Sequence, residues 1–143
     1  MNSNSSINGN AYNQLAGPYD VVVFPKNLTG NTNAGGGLFS NLQVTTLIIP
    51  SVKHLYDYAT YALKCTNFIV LCDEVPTYNG DAWQKYQRTV TNFYVPDHLV
   101  SAYTGFLKLG TPKPLSQFIE SDNLYANMVK ILYERQILVR DWL

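Results

Sequence analysis

The most regular pattern of polar and apolar positions lies at the end of the chain, in residues 123–143. Its polar residues recur at intervals of three, four and seven, which places them on one stripe of a helix: Asn123, Asn127, Lys130, Glu134 and Asp141. The apolar residues form two adjacent rows, one of Leu124, Met128, Ile131, Leu138 and Trp142, the other of Tyr125, Val129, Leu132, Val139 and Leu143. Two rows span more than half of the circumference, so we predict a long C-terminal helix that is covered over more than half of its girth, either by its own domain or by a second chain.

Strand patterns precede this helix. Residues 19–24 and 42–49 are rich in β-branched side chains, and Pro50 ends the second segment. Helical spacing of apolar residues then predicts a helix over 52–66: Val52, Leu55, Ala59, Ala62 and Leu63. The apolar run 68–72 is interpreted as a buried strand, with continuation of the helix as the alternative. A strand–helix–strand unit over 42–73 would form a right-handed parallel crossover.

The second half of the chain adds a strand-like segment at 89–95 and two further helices. Asp97 is a suitable N-cap for a helix over 98–109 that ends at Gly110, although Gly105 inside it is unfavourable. A short helix is expected around 115–119. We see no internal repeat in the sequence. The predicted fold is therefore mixed α/β (α+β): a small β-sheet containing the 42–73 unit, helices after 97, and the long C-terminal helix.

The N-terminal residues 1–18 are polar and uncharged, which predicts a flexible arm ahead of a single globular domain at 19–143. Its isolated apolar residues Ile7, Tyr12 and Leu15 would contact a neighbouring subunit, unless the arm is simply a floppy terminus. The glycine-rich loop 26–40 does not match a phosphate-binding loop, because Leu38 and Phe39 follow its glycines where a Lys and a Ser or Thr are needed. These two residues are predicted to anchor the loop in a partner's pocket.

Composition favours contact with other proteins over contact with nucleic acid. Ten positive and ten negative residues give zero net charge, so phosphate neutralisation has no support. Charged residues are 14% of the chain and tyrosine occurs eleven times, and tyrosine is enriched at protein interfaces. Codon bias in an AT-rich genome is the alternative explanation. The overall texture is similar to that of minor structural proteins of virus particles. Without a recognisable signal peptide or membrane span, we expect a cytoplasmic or virion location.

Candidate chemistry is sparse. His54 and His98 are the only histidines, and Cys65 and Cys72 are too far apart in sequence for a typical zinc motif, so we predict no metal and no cofactor. The sharpest enzymatic hypothesis is a Cys72 nucleophile with a histidine base, beside Asp73 at the end of a parallel strand. The alternative is that both cysteines are buried as small apolar side chains.

These observations favour a non-enzymatic structural or accessory subunit of a larger protein assembly, which acts through its N-terminal arm and apolar C-terminal helix. Its partners would be copies of itself or other subunits, with no nucleic acid, membrane span or small-molecule substrate. The predicted contact residues are Ile7, Tyr12, Leu15, Leu38, Phe39, Val129, Leu132, Val139, Trp142 and Leu143. The alternative is a small α/β enzyme or ligand-binding domain that uses Cys72, Asp73 and a histidine.

Overall fold

The computed structural model describes residues 6–7, 17–24, 33–34, 37, 39–83 and 87–142. Its strands form two parallel sheets, in the orders β1-β3-β5-β7 and β2-β4-β6-β8-β9. The strands are β1 Ser6–Ile7, β2 Tyr19–Val23, β3 Asn33–Ala34, β4 Gln43–Ile49, β5 His54–Leu55, β6 Lys64–Val70, β7 Thr77–Tyr78, β8 Thr89–Val95 and β9 Lys113–Pro114. Two helices follow them, α1 Leu115–Ile119 and α2 Ala126–Trp142.

From β1 to β8 the chain alternates between the two sheets, so each pass adds one short strand to the first sheet and one longer strand to the second. The short β9 then joins the second sheet beside β8. Val44 pairs with Cys65, which pairs in turn with Val90, and every pair is parallel. This is a solenoid-like arrangement in which successive coils stack on one another. The predicted mixed α/β fold with a long C-terminal helix is therefore wrong, because stacked parallel strands, and not a packed helix layer, organise the described chain.

A repeated six-residue segment explains the stacking. The sequences VTTLII, CTNFIV and VTNFYV occupy equivalent positions in β4, β6 and β8. Three positions of each segment face the central core, in the sets Val44, Cys65 and Val90; Leu47, Phe68 and Phe93; and Ile49, Val70 and Val95. The expectation of no internal repeat is thus wrong. The three copies are visible in the sequence, but unequal numbers of residues separate them, which conceals the repeat.

An asparagine ladder crosses the larger sheet at one level. The Lys113 ammonium donates to Asn92 Oδ1 at 2.7 Å, and Asn92 Nδ2 donates to Asn67 Oδ1 at 3.1 Å. Asn67 Nδ2 donates in turn to Thr46 Oγ1 at 3.3 Å. Thr46 and Asn67 are buried, and burial of polar groups is tolerated because their hydrogen bonds are made within the ladder.

The helix predicted over 52–66 is wrong. This segment contains β5 and a series of turns, and Tyr58 and Ala62 have φ of 57° each. A positive φ is incompatible with a right-handed helix. The apolar residues of the segment are instead the inward side chains of a solenoid turn: Val52, Leu55, Ala59 and Leu63 all lie in the central core. The strands on either side pair in parallel, as predicted. The second of them, however, is Lys64–Val70 and not 68–72, so it begins inside the predicted helix.

The helix predicted over 98–109 is also wrong. Two short 3₁₀ turns, Asp97–Leu99 and Phe106–Lys108, replace it, and Gly105, Leu107 and Lys108 have φ of 83°, 48° and 52°. This segment covers the end of the core beside β8. Phe106 stacks on Phe93 with ring centroids 5.9 Å apart, and the buried Tyr103 hydroxyl donates to the Cys72 carbonyl at 2.8 Å.

Arg88 connects this segment, residues 97–109, to the coil beneath it, and we call the segment the aromatic cover. Its Nη1 donates to Thr60 Oγ1 at 3.0 Å and to the Leu107 carbonyl at 2.9 Å, with the Trp83 carbonyl 3.3 Å away. Its Nη2 donates to the Lys108 carbonyl at 2.9 Å. One guanidinium therefore joins the turn after β5, the turn before β8 and the cover. Burial lowers the pKa of Arg88 from its ordinary value.

The two helices pack on the outer face of the larger sheet and form a second core with it. Ile48, Ile69 and Tyr94 point outward from β4, β6 and β8, and they contact Leu115 and Phe118 of α1. Ala126 and Val129 of α2 join the same cluster. The sheet is thus covered on both faces along the C-terminal half of its strands.

Candidate functional site

The surface of α2 differs from the predicted division of its two apolar rows. Val129 is fully buried and Leu132 packs against the second core, so both residues contact their own chain. Leu124, just before the helix, is 85% exposed, and Ile131 is 41% exposed. Of the row that begins at Leu124, Leu124 and Ile131 are therefore exposed, whereas Met128 packs against the second core.

The other predicted contact residues are placed only in part. Phe39 is buried, with its ring centroid 5.8 Å from that of Phe24, so it anchors its own chain. For Ile7 in β1, and for Val139 and Trp142 in α2, the structure describes the backbone alone. Tyr12, Leu15, Leu38 and Leu143 lie outside the described residues. Partner contact at these positions, and the arm at 1–18, remain predictions.

Strand β2 forms one edge of the larger sheet. Its inner side pairs with β4, and no strand pairs with its outer side within the residues that the structure describes. The Phe24 N–H donates to the Ile48 carbonyl at 2.8 Å. Because backbone groups alternate in direction along a strand, Val22 also faces β4, whereas Val21 and Val23 direct their N–H and C=O groups outward. The side chains of Tyr19 and Val23 are 37% and 39% exposed.

A close backbone contact holds β2 against β4. Gly17 has φ of 105°, and a Cβ atom placed there would clash with the Gln43 carbonyl oxygen. No side chain fits in that space, so glycine is required at this position. The chain therefore passes close to the β4 backbone just before β2 begins.

A polar pocket of about 250 Å³ lies beyond the C-terminal ends of β4 and β6. It brings together side chains from two successive coils and from α2. The lining residues are Ser51, Val52, Lys53, Cys72, Asp73, Glu74, Val75, Pro76, Thr77 and Gln136. Asp73 and Glu74 would point to opposite sides of a continuous strand. However, β6 ends at Val70, and the bend at 73–74 lets both residues line the pocket.

The pocket does not activate Cys72 as a nucleophile. Burial raises the pKa of the Cys72 thiol to about 12, and burial likewise raises the pKa of Cys65 to about 12. The reactive species of a cysteine is its thiolate, which is disfavoured at both sites. The Val52 N–H donates to Cys72 Sγ at 3.3 Å. Both thiols are free and buried, as the alternative interpretation of the sequence expected.

Neither histidine lines the pocket that contains Cys72. His98 is exposed in the turn at 97–99. His54 Nδ1 lies 2.6 Å from Thr77 Oγ1, and its Nε2 lies 2.7 Å from Asn79 Oδ1. Asn79 Nδ2 donates to Asp57 Oδ1 at 2.9 Å, which fixes the amide orientation and so places the ring proton on Nε2. Of the residues in this network, Thr77 alone lines the pocket.

Sequence reasoning identified Cys72 and Asp73 as neighbours of a site but missed Lys53, Thr77 and Gln136. Lys53 and Thr77 come from adjacent coils, and their proximity follows from the pairing of β5 with β7, in which His54 lies opposite Thr77. Recognition of the six-residue repeat would have supplied that stacking. Gln136 comes from α2, and no sequence signal places that helix over the end of β6.

The fold and the site define a small parallel β-solenoid domain, with an edge strand at one end, an aromatic cover at the other and a polar pocket at the side. No family model, curated protein or solved structure matches the chain. Among the described residues no helix is long and apolar enough to cross a bilayer. The same residues contain no group of three His, Cys, Asp or Glu side chains that could hold a metal ion.

Proposed function

We propose that the chain is a non-enzymatic subunit of a larger protein assembly, and that it associates with a second copy of itself through the outer edge of β2. The observation that carries the proposal is the outward direction of the Val21 and Val23 backbone groups on a strand that forms an edge within the described residues and has Asp20 as its one charged residue. Exposed edges of this kind pair readily with other strands, and monomeric proteins usually protect them with charge, proline or a covering segment.

The sequence of β2 is complementary to itself in an antiparallel pair. A two-fold axis at Val21 would place Tyr19 opposite Val23 of the second copy, so that two half-exposed apolar side chains cover each other. Asp20 would lie opposite Val22, and the two copies of Asp20 would not face each other. The self-pairing therefore adds backbone hydrogen bonds without opposing like charges. The exposed Leu124 offers further apolar surface for contacts within the assembly.

Proline substitutions test the edge directly, because proline lacks a backbone N–H. In Val21→Pro the missing group points away from β4, so the fold should persist while self-association is lost. In Val22→Pro the missing group pairs with β4, so the fold itself should be destabilised. Val21→Ala is the matched control, since it trims the side chain but keeps the N–H and should remain associated.

Sedimentation equilibrium gives the oligomeric state of each variant, and circular dichroism shows whether it is folded. A dimeric parent chain, a folded monomeric Val21→Pro and a dimeric Val21→Ala are the expected results. A parent chain that is monomeric throughout the accessible concentration range would overturn the proposal. So would a Val21→Pro variant that dimerises as strongly as the parent.

A further inference from the structure

We propose that a tyrosine-lined cavity beside the turn after β5 binds a neutral sugar ring. Among the described residues, Ser40, Tyr58 and Tyr61 line this cavity, which has a volume of about 510 Å³. The inference is independent of the self-association of β2, because this lining and the edge strand share no residue. Three features support it: a tyrosine at a position that favours glycine, an aromatic corner and a neutral lining.

The first feature is the backbone conformation of Tyr58. Its φ is 57°, in the left-handed region that bulky side chains rarely adopt. Gly37 begins the same turn one coil earlier, with φ of 68° and a carbonyl that accepts from the Ser40 N–H as the Tyr58 carbonyl accepts from the Tyr61 N–H. The Gly37 N–H donates to the Asp57 carbonyl at 2.7 Å, so the two turns stack. Glycine fits this position without strain, whereas a tyrosine held there against its backbone preference indicates a function for its ring.

The second feature is the arrangement of the two tyrosine rings. Tyr58 is 47% exposed, and its ring packs edge-to-face with that of Tyr61, with the centroids 6.0 Å apart and an angle of 90° between the planes. Two perpendicular rings form a corner that holds an exposed aromatic surface in a fixed direction. The face of an aromatic ring carries partial negative charge, so it attracts the C–H groups on the flat side of a pyranose.

The third feature is the neutral character of the described lining. A serine and two tyrosines combine hydroxyl groups, which both donate and accept hydrogen bonds, with aromatic surface. An ionic ligand would gain no ion pair from these residues, and a purely apolar ligand would not use the hydroxyl groups. A pyranose with equatorial substituents presents C–H groups on its faces and O–H groups around its rim, so it matches both. The cavity also has the size of a small-ligand pocket.

Titration with cellotetraose, followed by NMR on the Tyr61 ring signals, tests the site. Cellotetraose is a chain of β-linked glucose rings whose substituents are equatorial. Sorbitol is the ligand control, because it has the hydroxyl groups of a hexose but no ring face. Saturable shifts with cellotetraose and weaker binding of sorbitol are expected. Absence of saturable binding, or binding of sorbitol as tight as that of cellotetraose, would disprove the proposal.

Substitutions at Tyr58 separate sugar binding from folding. Tyr58→Gly removes the ring and relieves the backbone, so the variant should stay folded by circular dichroism and lose about tenfold in cellotetraose affinity. Tyr58→Asn also removes the ring and tolerates a positive φ, so it should bind as weakly. Tyr58→Phe keeps the ring and should stay within about threefold of the parent. Tyr56→Ala removes an exposed tyrosine outside the described lining and should not change the affinity. If folded Tyr58→Gly or Tyr58→Asn binds cellotetraose as tightly as the parent, the ring does not hold the sugar and the proposal fails.

Discussion

Replacing Arg88 by Met tests how the aromatic cover is held on the solenoid. The substitution keeps a long apolar side chain but removes every guanidinium contact with Thr60, Trp83, Leu107 and Lys108. A hydrogen bond to a charged group contributes about 1.5–3 kcal/mol. Several are lost together, and relief of the desolvation of the half-buried Arg88 offsets part of the loss. We therefore expect a loss of about 3 kcal/mol in unfolding free energy, a large share of the usual 5–15 kcal/mol.

Urea unfolding measures this loss. Circular dichroism reports on the sheet, and tryptophan fluorescence reports in part on Trp83, whose ring lies under the Lys108 ammonium at 3.5 Å. Arg88→Lys should retain part of the stability, because it keeps the charge and some donor capacity. Arg135→Met removes an exposed arginine from α2 and should leave stability within about 0.5 kcal/mol of the parent. An Arg88→Met variant as stable as Arg135→Met would refute the assigned role of the guanidinium.

Two further predictions concern other fixed points of the fold. Gly17→Ala should lower the midpoint of thermal unfolding by several degrees, because the alanine Cβ would clash with the Gln43 carbonyl at a φ of 105°. Gly80→Ala is the control: a Cβ there meets no atom within 4 Å, so the same melting curve should change little. Hydrogen bonds from Ser116 hold the pKa of Asp97 below its ordinary value. The resulting stability is present above the ordinary aspartate pKa and is lost as pH falls through the lowered one. The difference in stability between the parent and Asp97→Asn should therefore shrink on acidification, and a difference that stays constant with pH would contradict this assignment.

The strands were the predictable part of the fold. β-Branched segments at 19–24, 42–49 and 89–95 correspond to β2, β4 and β8, and the parallel pairing across 42–73 was also predicted correctly. These segments are short, rich in β-branched residues and each followed by a proline, so local preference and tertiary environment agree. The same agreement did not hold for the connections between them.

The connections between the strands were predicted wrongly, because apolar residues at helical spacing can also line the inside of a solenoid turn. Leu55, Ala59 and Leu63 satisfy both patterns, and the difference lies in Tyr58 and Ala62, whose positive φ values break a helix. A positive φ is usually found at glycine and asparagine, so a tyrosine and an alanine in the sequence do not predict it. The pocket was hidden for a related reason: Gln136 reaches Leu71 across a tertiary contact that no local pattern encodes.

The asparagine ladder has a consequence for how the coils find their alignment. Sliding β6 by two residues along β4 preserves the alternation of faces only between Phe68 and Val70, so burial of apolar surface discriminates only in part against that error. The amide of Asn67, however, reaches Thr46 on one neighbour and Asn92 on the other only when all three lie at one height. If β6 shifted, the buried Asn67 amide would lose its hydrogen-bond partners. These polar side chains therefore favour a single alignment of the stacked strands.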